Sequence, residues 1–173
     1  TWLIVALGGV SVGLLLLPVV TNPIPPLMDY AGHLARIHVL YSLFHGTAFT
    51  DMFTYRFAVV PNLAIDGFVL GLMQLGVGIE AAGRIFLGLS LLAMSAGVIG
   101  LHYANFRRLS VWPLIALPFF YHDMFFGGLL NYFFGVGLAF IGAAGWEIGK
   151  RDRPILALCG LALCSVLLFF CHL

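Results

Sequence analysis

The sequence predicts an all-α integral membrane protein, with about five transmembrane helices and interfacial helices in a long first external loop. Three observations carry that expectation. Of 173 residues, 62% are hydrophobic and only 9% are charged, against about 25% charged in a soluble domain. The mean hydropathy is +1.07, so too few charges remain to cover a water-soluble surface. The apolar residues fall in long unbroken runs, unlike the alternation of outer-membrane strands. A soluble enzyme and a disordered tail are excluded, and a net charge of +1 leaves no basic footprint for nucleic acid. The chain begins at Thr1 without an initiator Met and ends at Leu173 inside an apolar run. These ends give the expectation of an N-terminal fragment of a larger membrane protein.

The first run, Leu3 to Val20, is long enough to cross about 30 Å of hydrocarbon. The following Pro23-Ile24-Pro25-Pro26 forbids a helix and takes the chain out of the membrane. From Met28 to Phe44 the pattern turns amphipathic. Leu34, Ile37, Tyr41 and Phe44 recur at helical spacing, while Asp29, His33 and Arg36 share another face. Such a helix suits the interface. Residues 46–62 read as a loop, with Asp51, Arg56 and Pro61.

Leu63 to Val77 admits two readings. It is apolar but short, broken by Asp66 and weakened by Gly67, Gly71 and Gly76, so it fits an interfacial helix as well as a span. Three further stretches follow as spans: Arg84–Phe106, the short Val111–Tyr121 with Pro113 and Pro118, and Leu129–Trp146. Pro154 opens a last one. Glycines such as Gly97, Gly100, Gly135 and Gly137 mark faces where helices approach closely. Cys159, Cys164 and Cys171 show no metal or redox spacing and read as small buried hydrophobes.

The charges bear on Leu63–Val77. If it crosses, Arg36, Arg56, Arg107, Arg108, Lys150, Arg151 and Arg153 share one side and Arg84 takes the other. If it does not, Arg107, Arg108, Lys150, Arg151 and Arg153 face Arg36, Arg56 and Arg84. Positive-inside counting accepts both. Without a crossing, residues 1–173 form a single transmembrane domain, with an external loop over 21–83 and spans over 84–173.

Two carboxylates, Asp29 and Asp123, then lie at one membrane face, each after the end of a span. Asp29 reads either as a helix-capping acid or as a general base. His33 reads as a helix-surface contact to Asp29 or as a donor to an anionic leaving group. Arg36 meets lipid phosphate or binds a substrate phosphate through its fork. His122 reads as an interface residue beside Asp123, and Asn131 as a bond to a neighbouring helix. His122 and His172 also admit a haem reading. No HExxH, GxSxG, phosphate loop or dinucleotide fingerprint appears.

The stretch Pro26-Leu27-Met28-Asp29-Tyr30-Ala31-Gly32-His33-Leu34-Ala35-Arg36 resembles the first-loop motif of the GT-C class of bacterial membrane glycosyltransferases, which includes protein O-mannosyltransferases and the aminoarabinose transferase of lipid A. Val60-Pro61-Asn62-Leu63 through Gly83-Arg84 is similar to that class's interfacial helix and the start of its second span. Asn105-Phe106-Arg107-Arg108 followed by His122-Asp123 is similar to its basic turn and acidic second external loop. The order covers nearly the whole chain. The resemblance implies a polyprenyl-phosphate sugar donor and a catalytic acid at Asp29. It also implies interfacial helices in the loop, which favours a non-crossing Leu63–Val77. Many members carry a second acid directly after the catalytic one, whereas Tyr30 stands here.

The expectation is therefore an inner-membrane glycosyltransferase of bacteria acting at the outer face. Asp29 and Asp123 are catalytic, and His33, Arg36 and His122 bind substrate. No cofactor is assigned, and a divalent metal ion at Asp123 is left open. Expected partners are membrane lipid, the sugar-bearing polyprenyl phosphate and other membrane subunits, with no nucleic acid. The rival is a non-catalytic accessory or scaffold subunit of a larger membrane complex. A transporter fragment ranks last, since neither broken helices nor inverted repeats are visible.

Overall fold

A computed structural model of the chain describes residues 2–56 and 58–171. Among them every regular element is helical: α1 (Trp2–Thr21), α2 (Tyr30–His45), α3 (Ala64–Gln74), α4 (Ile79–Phe106), a 3₁₀ segment η1 (Trp112–Phe120), α5 (Asp123–Phe126), α6 (Leu130–Gly149) and α7 (Pro154–Phe170). The prolines before α2 confine it to start at Tyr30. Gly46, with φ of 62°, ends it in a left-handed turn whose N–H bonds to the Leu43 carbonyl at 3.2 Å, a common helix stop.

Three helices, α1, α4 and α6, are long and apolar enough to cross a membrane. Five were expected, and the difference has two causes. The stretch 111–121 carries Pro113 and Pro118, and folds as nine residues of 3₁₀ helix. At about 2 Å rise per residue it covers only some 18 Å. The last run forms α7, which has 17 residues.

α4 is the centre of the bundle, with Phe86, Leu87, Leu91 and Met94 in the core. Its closest neighbour, α6, runs parallel to it. Met94 lies level with Gly137, Gly97 with Phe140, and Gly100 with Ala144, and Arg107 Nη2 donates to the Glu147 carbonyl at 3.3 Å. Glycine permits this approach. A Cβ on Gly97 would stand 2.9 Å from the Gly137 carbonyl oxygen, and one on Gly137 would stand 2.7 Å from the Met94 nitrogen. These two are among the glycines the sequence marked for packing.

Because α4 and α6 are parallel, the chain must return between them, and residues 107–129, with η1 at their middle, make that return. The return follows α1 from Leu114, beside Gly8, to Tyr121, whose hydroxyl donates to the Leu15 carbonyl at 2.6 Å. α7 then runs antiparallel to α6, with Cys164 Sγ 3.3 Å from the Leu138 carbonyl.

The bundle so formed has two unlike ends. One carries Arg107, Arg108, Lys150, Arg151 and Arg153 and is called the basic end. The other carries the loops 22–63 and 121–129. The stretch Leu63–Val77 stays at this loop end, held there at Leu63, whose N–H meets the Phe170 carbonyl, and at Ile65, whose N–H meets Asn131 at the start of α6. It packs on α4 through Phe68 and Phe86, with ring centroids 5.5 Å apart. Arg36, bonded to Asp66 of α3, and Arg84, whose Nη1 reaches the Val20 carbonyl at 3.3 Å, lie at this end.

Candidate functional site

Three sets of contacts assemble the loop end. The first joins α2 to α3. Asp66, only 3% exposed, accepts from Arg36 Nε at 2.9 Å and Nη2 at 2.6 Å. The same Nη2 lies 3.2 Å from His33 Nδ1. A guanidinium has donors only, so Nδ1 must accept and the ring proton sits on Nε2. Burial, and then the charge of Arg36, push the His33 pKa below its ordinary value, opposed by Asp66, the Gly128 carbonyl and Asp29. The bond from Arg36 and the lowered pKa both favour the neutral imidazole.

The second set joins α3 to α6. Asn131, buried at the start of α6, accepts from the Ile65 N–H at 2.7 Å. Its Nδ2 donates to the Asn62 carbonyl at 3.0 Å and to Asn62 Oδ1 at 2.6 Å. The bond to a neighbouring element expected of Asn131 is thus made. The Leu63 N–H also reaches the Phe170 carbonyl at 2.9 Å.

The third set seats one loop on the other. The Met28 N–H donates to the Phe126 carbonyl at 2.8 Å. Gly128, at φ of 81°, lies so close to Asp29 that a Cβ there would stand 2.7 Å from the Asp29 nitrogen. Gly127 N–H closes the turn back to the Asp123 carbonyl at 2.7 Å. The loop bearing Asp123 therefore rests on the loop bearing Asp29, and both side chains are exposed.

The individual residues differ in part from their sequence readings. Asp29 holds the cap position of α2, but its side chain makes no capping bond, so its carboxylate is left free. His33 turns to Arg36 rather than to Asp29. The Nε–Nη2 edge of Arg36, the edge that would grip a phosphate bidentately, is taken by Asp66, a residue the sequence alone does not put in the site. His122 Nδ1 accepts from the Met124 N–H at 3.1 Å and caps α5. The second histidine of the haem reading, His172, lies outside the described residues.

Tyr30 also acquires a role. It is fully buried, and its hydroxyl packs at Gly83 of α4 with no hydrogen-bond partner among the described residues. Burial pushes its pKa up to about 12, against the opposing charge of Arg84. Position 30 thus points into the bundle, away from the exposed carboxylate of Asp29. Among the described residues no three His, Cys, Asp or Glu side chains gather as a metal site. The donor set does not fit a divalent ion, so no step is routed through one.

What remains is a free carboxylate on a helix start, a neutral imidazole one turn on, and a second exposed carboxylate on the loop docked against the first. A carboxylate so placed can take a proton from a hydroxyl that comes within hydrogen-bond reach. No family model matches the chain, and no match is found among curated proteins or solved structures.

Proposed function

We propose that the chain is the membrane-embedded part of a glycosyltransferase that moves a sugar from a polyprenyl-phosphate carrier to an acceptor hydroxyl. The seating of the Phe126–Gly128 segment on Met28–Asp29 carries this reading, because it brings the loop bearing Asp123 against the loop bearing Asp29. In the proposed step Asp29 accepts the hydroxyl proton while the acceptor oxygen bonds to the anomeric carbon. The bond from that carbon to the phosphate oxygen breaks, and the polyprenyl phosphate leaves with inversion. Arg36, through the Nη1 that Asp66 does not engage, offsets the charge on the departing phosphate, and His33, neutral, holds the Arg36 guanidinium in place through Nδ1. Asp123 and His122 orient the acceptor. Positive-inside counting puts the basic end in the cytoplasm and the loop end outside a bacterial inner membrane, with η1 and α7 completing five passages.

The test is release of polyprenyl phosphate by the protein reconstituted in vesicles with a panel of polyprenyl-phosphate hexoses and pentoses. Asp29→Asn is expected to lower the rate by about 10²-fold or more. Equal rates for the two proteins, or no release from any donor, would overturn the reading.

A second reading, a structural subunit of a membrane complex, is favoured by α7, which buries none of its residues. An apolar groove of about 560 Å³ runs between α6 and α7, lined by Leu138, Ile141, Leu161 and Leu167 among others. Purification of a monomeric particle from native membranes would count against it.

A further inference from the structure

We propose that the crevice between α1, α4 and η1 at the basic end binds an anionic phospholipid of the adjacent leaflet. The crevice holds about 350 Å³, within the range of small-molecule sites, about 300–1,000 Å³. Its walls divide by chemistry. Ile4, Val5, Val12, Ile99, Pro113 and Leu114, beside Gly8 and Gly9, make most of the lining apolar. Its polar lining is His102, Tyr103, Arg108 and Ser110.

Two features point to a phosphate head. Ser110 Oγ accepts from the Trp112 N–H at 3.2 Å, which leaves its own proton to donate. Arg108 is exposed at the rim and supplies charge-assisted donors. A phosphate oxygen between them would accept from the hydroxyl and meet the guanidinium. The Arg107, Lys150, Arg151 and Arg153 side chains at the same end favour a net negative head over a zwitterionic one. Val5 and Gly9 are exposed, so the apolar part opens on the outer face of α1, where an acyl chain can enter sideways. This inference rests on the membrane reading of the long helices and is independent of the transferase reading.

The probe is phosphatidylglycerol, with phosphatidylcholine as the comparison, titrated onto the protein in mild detergent and counted by native mass spectrometry. One phosphatidylglycerol is expected to bind at least tenfold more tightly than phosphatidylcholine. Arg108→Gln should weaken it by about tenfold, the loss of one charge-assisted contact. Gly9→Leu should abolish it without unfolding the chain, because a side chain at position 9 meets no atom within 4 Å and grows into the crevice. Equal binding of the two lipids, or wild-type retention by both variants, would overturn the proposal. If Gly9→Leu does not fold, Arg108→Gln decides alone.

Discussion

Breaking the Arg36–Asp66 pair should cost different amounts from its two sides. The side chain of Asp66 is 4% exposed and that of Arg36 is 47% exposed. Asp66→Asn leaves a guanidinium that water already reaches, and the introduced amide still offers it one acceptor. The loss is then that of charge-assisted hydrogen bonds, about 1–2 kcal/mol. Arg36→Leu instead strands a carboxylate inside the bundle, and an uncompensated buried charge costs about 3–5 kcal/mol. The gap between the single variants should therefore be about 2 kcal/mol. The double variant, Arg36→Leu with Asp66→Leu, removes both charges and should recover most of the larger loss. Reversible unfolding in mixed micelles, followed by the fluorescence of Trp2, Trp112 and Trp146, measures all four proteins. If Asp66→Asn costs as much as Arg36→Leu, or the double variant is no better than Arg36→Leu, the buried carboxylate is not what the pair protects.

Three further outcomes are expected. Gly128→Ala must adopt φ of 81° and push its Cβ against the Asp29 backbone; the strain and displacement should cost about 1–3 kcal/mol. Its unfolding midpoint should drop further than that of Gly145→Ala, where a Cβ meets open space. Asn131→Leu orphans the Ile65 N–H and the Asn62 side chain, a loss of about 2–3 kcal/mol. Hydrogen exchange should show it as faster opening of the first turn of α3, and unchanged exchange there would refute the link. The pKa of His33 is lower in the folded protein than its ordinary value of about 6.5, because of burial and then Arg36. The unfolded chain therefore binds more protons near that pH, so stability rises with pH there. His33 contributes fully above about 6.5 and its contribution is lost as pH falls through the lower folded value. The stability of His33→Gln should change less than wild type between about pH 7 and 5, and an equal or steeper change would contradict the assignment.

The helices were legible in the sequence because they are written locally. Leu3–Val20 became Trp2–Thr21, and Leu129–Trp146 became Leu130–Gly149. α4 begins before the expected Arg84, at Ile79, since Glu80, Ala81 and Ala82 are good helix formers although Glu80 interrupts the apolar run. Asp66 carried a signal that went half used. A lone acid in an apolar stretch argued that α3 does not cross, but it equally demanded a cation nearby. Which cation depended on how α2 and α3 pack across the intervening loop, and no local pattern encodes that. The same holds for Gly128 and Asp29, about a hundred residues apart, whose contact exists only once the parallel α4 and α6 are in place. The free carboxylate of Asp29 was likewise unreadable, because the capping residue type is present while the capping geometry is not.

The return path of η1 bears on how such a chain is made. Two prolines and a 3₁₀ backbone leave it poorly equipped to enter hydrocarbon alone, where backbone outside regular helix is tolerated only against protein or in a water-filled cavity. The surfaces it needs are those of α1 and α4, both synthesised before it. On the membrane reading proposed above, insertion of α6 in its parallel sense would wait on a groove that α1 and α4 have already formed. A cell's insertion machinery that counted only the long apolar helices would deliver α6 upside down. On the same reading, the orientation of α6 rests on the docking of η1 against the first two long helices as well as on the Lys150, Arg151 and Arg153 charges at its own end.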